Sequence, residues 1–192
     1  MNKFMGYKIF KKEQYSSGDY SIVSYREKDL MDIMKWRNEQ INILRQKRPL
    51  TEKAQKNYFK DAILSTFNQA EPPTMLFSFL KKRRCIGYGG FVYIDWEAGR
   101  AEVSFLLDTG RAKDAKKYSR DFEVFLTIMK QIAFIELKLN RLFTETYDTR
   151  PLHIAVLEQN GFAFEGRMRE HVKINGKYAD SLIHAILKEN YV

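Results

Sequence analysis

Trp36, Arg37 and Asn38, with Arg45 a little further on, place an indole ring, two guanidinium groups and an amide along one short stretch. An aromatic face stacks on a planar ring and a guanidinium grips phosphate at two points, so this set suits a nucleotide-like ligand. A second set lies in the basic stretch from Arg111 to Arg120, where Lys116, Lys117 and Arg120 offer point charges and a fork to phosphate groups. Glu102 alternates with Ala101 and Val103 and therefore lies on one face of a strand. Metal chemistry is not signalled: His153, His171 and His184 show no ligand spacing with one another or with Cys85. A Cys-His nucleophile is equally unsupported, and Cys85, in a strand-like run beside Arg84, reads as a buried structural thiol. One cysteine allows no internal disulfide, which fits a reducing compartment.

The 192 residues are enough for one sizeable core and short for two. With 44% hydrophobic and 30% charged residues, the chain is neither a disordered tail nor a membrane protein. The N-terminal residues lack the apolar core and cleavage site of a signal peptide, and no apolar run reaches membrane-spanning length, so a cytoplasmic location is expected. A net charge of +9 invites a nucleic-acid reading. The positive residues are nevertheless dispersed, no nucleic-acid motif accompanies them, and a phosphorylated small ligand uses such charge equally well. No nucleic acid and no membrane partner is expected.

The elements that must position these residues follow from periodicity and turn signals. Tyr20–Tyr25 reads as a strand and Glu27–Asn38 as a helix; a second helix starts at the Thr51 cap. Met75–Leu80, Cys85–Ile94 and Ala101–Leu107 form a meander of three strands. A loop over Asp108–Ser119 leads to the longest helical pattern, from Phe122 to Leu137. Asn140–Thr146 is a strand, Pro151–Gln159 a helix ended by Asn160-Gly161, and Phe164–Ile174 and Tyr178–Leu187 a hairpin about Asn175-Gly176. The expectation is one α/β domain over residues 1–192, with 1–19 as an N-terminal extension: a mixed, mostly antiparallel sheet with helices on both faces and a right-handed crossover in the middle.

That element order, with the segment VLEQNGFAFEGRMRE at 156–170, resembles the GNAT superfamily of acyl-CoA N-acyltransferases along nearly the whole chain. The segment is similar to the branch containing ribosomal-protein and aminosugar acetyltransferases. MKWRNEQ at 34–40 is similar to enzymes that act on nucleotide-linked aminosugars. The resemblance implies that Ala101–Leu107 splays from the strand after the central helix, and that Phe105, Leu106 and Leu107 present backbone amides to the pantetheine of acetyl-CoA, a co-substrate. It implies a pyrophosphate loop at the start of the central helix, whose matching positions run from Lys117 to Phe122. There Arg120 and Phe122 stand where the family has glycine, and Lys116, Lys117 and Arg120, beside Asp121, would supply as side-chain charge what the loop loses in backbone access. Arg150 and His153 fall where the family contacts the CoA arm. Glu102 matches the position of a general base. Leu157 occupies the place of the usual tyrosine acid, and Tyr147, just after the fifth predicted strand, is the candidate to protonate the leaving thiolate. The acceptor region of the branch holds Trp36, Arg37, Asn38 and Arg45.

Three functions fit this reading. The first is acetyl-CoA-dependent acetylation of a nucleotide-linked aminosugar. The second is acetylation of a protein N-terminus or ribosomal protein. The third is a non-catalytic binding module on the same fold, suggested by the absent glycines and tyrosine. The exposed edges of a splayed sheet also leave a homodimer open.

Overall fold

A computed structural model describes residues 6–191; of the expected domain, residues 1–5 and 192 lie outside the described ones. Eight strands form one sheet: β1 (Gln14–Ser17), β2 (Tyr20–Ser24), β3 (Met75–Lys81), β4 (Arg84–Asp95), β5 (Arg100–Leu107), β6 (Arg141–Tyr147), β7 (Ala163–Ile174) and β8 (Lys177–Leu187). Their order is β1-β2-β3-β4-β5-β6-β8-β7, and β5–β6 is the parallel pair in an otherwise antiparallel sheet. The helices are α1 (Leu30–Glu39), α2 (Glu52–Asn57), α3 (Thr109–Ala112), α4 (Ala115–Gln131) and α5 (Pro151–Gln159). This is the mixed α/β architecture read from the sequence.

The sheet is covered on both sides because its central strands are apolar on both sides. In β3 every residue from Met75 to Leu80 is buried, the mark of a strand with packing above and below. On one face Tyr25 stacks on Tyr88 and meets Phe59 beyond α2 edge-on. On the other, α4 lays Phe122 and Phe125 onto Phe79 and Phe105, with Leu126 and Met129 buried in the same core, each of the four 1% exposed or less. Each such burial contributes about 1.5–3 kcal/mol.

Two local outcomes differ from the sequence reading. A strand, β1, forms within the stretch expected to be an extension, and it pairs with β2 from Gln14 to Ser17. Tyr7 and Tyr15 of the same stretch are buried in the core. Second, α4 begins at Ala115, inside the expected loop. Asp114 caps it by accepting from the Lys117 N–H at 3.1 Å, and Ala115, Lys116 and Lys117 are good helix formers that carry no apolar period to announce themselves.

The close approach of β4 to β5 depends on glycine. A Cβ on Gly89 would lie 2.1 Å from the Ser104 carbonyl oxygen and 2.8 Å from Cζ of Phe125. Gly89→Ala should therefore destabilise the protein by at least about 1–3 kcal/mol, the usual range for overpacking, read as a lower urea midpoint. An unchanged midpoint would mean that β4 and α4 have slack in this layer.

Candidate functional site

Three parallel pairs join β5 to β6: Arg100 with Arg141, Ala101 with Leu142 and Glu102 with Phe143. Beyond them the strands separate, and Val103–Leu107 faces Thr144–Tyr147 with no ladder between. Inner strand edges left without partners are costly when dry, so the gap calls for water or a ligand that bears donors and acceptors. Thr144 Oγ1 adds to this demand: it is buried at the gap with no hydrogen-bond partner among the described residues.

Side-chain alternation sorts the two sides of the gap. Glu102, Ser104, Glu145 and Tyr147 point towards the α1 side, and Val103, Phe105, Thr144 and Thr146 towards α4 and α5. A cavity of about 400 Å³ runs through the opening, touching Arg37, Arg45, Tyr93, Glu102 and Tyr147 on one face and Phe105, Arg150 and His153 on the other.

The helix-side wall is built from aromatic rings. Phe105 stacks on Phe122 at 4.6 Å and Phe122 on the His153 ring at 4.3 Å. Tyr118 lies 2.7 Å from His153 Nδ1, and Arg150 donates to the Tyr118 oxygen at 3.0 Å. Arg150 can only donate, and it also lies 3.3 Å from Nδ1, so Nδ1 is the acceptor and Tyr118 donates to it. Burial, seconded by the Arg150 charge, holds His153 well below the usual histidine range, and the ring is neutral near pH 7.

The opposite wall is an ion-pair cluster. Arg45 grips Glu102 with both terminal nitrogens, at 3.1 and 2.7 Å, and reaches Glu145 at 3.0 Å. The Glu145 carboxylate also lies 3.7 Å from His171 Nε2. Glu102 is 7% exposed. Burial raises its pKa, Arg45 opposes the rise, Glu145 adds to it, and the net direction is up. Burial likewise raises the Tyr147 phenol, which stays protonated near neutrality. A second cavity, of about 980 Å³, shares Arg45, Tyr93, Glu102, Glu145 and Tyr147 with the first and continues to Lys47, His171 and Lys173. A carboxylate and a protonated phenol thus flank one gap open from both faces, an arrangement able to move protons between two ligands that meet there.

Not every residue singled out in the sequence reaches this gap. Glu102, Tyr147, Phe105, Arg150, His153, Arg37 and Arg45 do. Leu106 and Leu107 are buried off the cavity, and the Leu107 carbonyl already accepts from Gln40 at 2.8 Å. Trp36, expected to stack on a ligand, is 6% exposed and packs in the core. Asn38, expected at the acceptor, instead braces the following loop, accepting from the Leu50 N–H at 2.7 Å and donating to its carbonyl at 2.9 Å.

The expected pyrophosphate loop is corrected in place. Lys117–Phe122 lies within α4, so its backbone donors serve the helix, and the Asp114 carboxylate already occupies the helix start. Lys116 is exposed, Lys117 pairs with Asp114 at 2.8 Å and Arg120 with Glu123 at 3.2 Å. Asp121 is fully buried, bound to Arg111 at 2.6 and 2.9 Å and to Tyr20 at 2.9 Å. Phe122 fills the core. Leu157, in the place of the usual tyrosine, is also fully buried. The Cys85 thiol is pushed up to about 12 by burial and offers no thiolate. Among the described residues, no three His, Cys, Asp or Glu side chains gather into a metal-binding group.

Sequence reasoning missed Glu145, Tyr58, Tyr93 and Tyr118. Glu145 becomes visible only once the register places Phe143 opposite Glu102. Tyr93 sits at the irregularity between Val92 and Asp95 with φ of 51°, and this break turns its ring out to 67% exposure.

Comparison with known proteins agrees with this geometry. Residues 22–183 match the family described as Acetyltransferase (GNAT) domain, and the chain belongs to that family. A protein named uncharacterized N-acetyltransferase p20, from Bacillus licheniformis, is 32% identical over 108 residues, covering 55% of this chain and 57% of that protein; the match thus spans little more than half of the relative's length. The spermidine N-acetyltransferase of Vibrio cholerae, solved with CoA and spermine, superposes with a TM-score of 0.79 at 17% identity, over 91% of this chain and 99% of that one. A mutant form of the spermidine/spermine enzyme from the same organism gives 0.75 at 18% identity, over 91% and 97%. At these identities the two structures establish the shared fold.

The placement of Asp121 has a measurable consequence. Asp121→Ala leaves the part-buried Arg111 without its partner, so stability should fall by about 3–5 kcal/mol in chemical denaturation. A stable variant impaired only in ligand affinity would return Asp121 to the binding site.

Proposed function

We propose that this protein transfers the acetyl group of acetyl-CoA to the primary amine of a small anionic acceptor, with a nucleotide-linked aminosugar as the acceptor class. The observation that carries the reading is the opening through the sheet, with Glu102 and Tyr147 on the acceptor side and the unpaired edges of Val103–Phe105 and Thr144–Tyr147 along it.

The residues fit an acyl-CoA donor along its pantetheine arm, since an amide-bearing chain satisfies open strand edges and the orphaned Thr144 hydroxyl. Bound there, the thioester supplies an activated acyl group. Phe105, His153 and Arg150 hold the arm from the helix side. With Asp114 at the helix start, the pyrophosphate falls to the side chains of Lys116, Lys117 and Arg120. Glu102 takes the proton of the acceptor ammonium, directly or through water, and Tyr147 delivers a proton to the departing sulfur.

Charge and ring placement favour an anionic, planar-ringed acceptor. Arg37, Arg45, Lys47 and Lys173 outnumber Glu102 and Glu145 around the joined cavities. Tyr58 and Tyr93, 40% and 67% exposed, supply the aromatic faces expected of Trp36. A polyamine is the second reading: the Vibrio enzymes are named for spermidine, and two carboxylates suit a cation. Arg45 already occupies both carboxylates, and Arg37, Lys47 and Lys173 line the same cavities, which weighs against it.

Acetyl-CoA, added to the purified protein, should raise Tm where free adenosine does not; no shift at saturating acetyl-CoA overturns the reading. An acetylation assay across aminosugar nucleotides, peptides and spermine should show the highest kcat/KM with the first group, and a preference for peptides or spermine would displace that acceptor class.

The pH profile tests Glu102 separately. A base must be ionised to act, so turnover falls as pH drops through its pKa. Because burial raises that pKa, the acid limb lies above the ordinary glutamate range. Glu102→Gln should abolish this limb and lower turnover about 10²- to 10⁴-fold while leaving the acetyl-CoA KM unchanged. An unaltered profile in the variant removes Glu102 from proton transfer.

A further inference from the structure

Arg45 stands where an incoming ammonium has to go. Its guanidinium takes both oxygens of Glu102 and one of Glu145, the acceptors a substrate amine needs. The loop on either side of it is tied down by side chains. Arg37 donates to the Gln46 side chain at 2.9 Å, Gln46 donates to Asn38 at 2.9 Å, Asn38 fixes Leu50, and Gln40 ties the start of the loop to the Leu107 carbonyl. The side chain is freer: it is 41% exposed and lies over the Tyr93 ring, 5.9 Å from its centroid. Unlatching therefore means a swing of one long side chain, with the loop unmoved.

We propose that Arg45 is a latch on the Glu102–Glu145 pair that admits only acceptors carrying an anionic group beside the amine. The proposal rests on the acyl-transfer reading for the identity of the acceptor. A phosphate or carboxylate arriving near Tyr93 and Lys47 draws the guanidinium onto itself in a two-point grip, while the ammonium takes the vacated carboxylates. One ion-pair cluster is thereby replaced by two. A polycation offers Arg45 nothing, and on displacing it meets an unpaired cation at close range, a like-charge contact that excludes wrong ligands. Arg45 is thus a specificity-determining residue, and the absence of a net negative site is the means of selection.

The test is binding, measured by titration calorimetry on the full chain with two probes: glucosamine 6-phosphate, an amine with a phosphate, and spermine, a polycation. Wild type should bind the phosphate probe the more tightly. Arg45→Gln should weaken glucosamine 6-phosphate by about tenfold and strengthen spermine by about tenfold, inverting the ratio. Arg45→Lys, which keeps the charge but loses the fork, should move the ratio part of the way and serves if the glutamine variant does not fold. A ratio unchanged in the variants, or binding of neither probe by wild type, overturns the latch. Because the readout needs no acyl transfer, an inverted ratio without acetylation of any amine leaves the latch standing and refutes the transfer reading alone.

Discussion

The rest of the site depends on where β5 and β6 stop pairing. Each strand is held along its other edge, β5 by β4 through Leu107 and β6 by β8 from Arg141 to Tyr147, so neither can close the gap without leaving a ladder of its own. The bulky residues of α4 and α5 then wedge against one side. Phe122 sits between Phe105 on β5 and His153 on α5, and that three-ring stack fills the helix side of the separating strands. The opening is a consequence of packing, and the polar edges it exposes are the reason a ligand belongs there.

Electrostatics follows from that geometry. A gap lined by a buried glutamate, a buried phenol and a buried imidazole pushes each group towards its neutral form, raising Glu102 and Tyr147 and lowering His153. Arg45 is the counterweight. It opposes the rise that burial and the neighbouring Glu145 charge impose on Glu102, and so favours the ionised carboxylate. The same guanidinium that favours the ionised Glu102 carboxylate also covers it, so ionisation and access are coupled through one side chain.

The sequence carried the architecture well because the fold speaks in periodicity. The Asn175-Gly176 turn, with φ of 49° and 81°, and the α5 helix over Pro151–Gln159 lie where turn and cap chemistry put them. It carried the site unevenly. Trp36 was misplaced because a tryptophan on an amphipathic helix has the same signature whether it faces core or ligand. Asn38 was misplaced because its role, bracing Leu50, depends on a loop whose path no local rule predicts. Glu145 and Arg45 meet at Glu102 only in three dimensions, from a strand and a loop far apart in the chain.

The start of α4 is committed to packing and to its own cap. A glycine-rich turn brings backbone N–H groups against phosphate; here Asp114 caps the helix several residues earlier, and Phe122 spends its position on the aromatic stack. Glycine at position 122 would free the backbone and remove the ring that separates Phe105 from His153. The two uses of that position exclude each other. The cations left at this end, Lys116, Lys117 and Arg120, are surface side chains, where ionic strength screens any attraction for an anion far more than it would in a buried cradle.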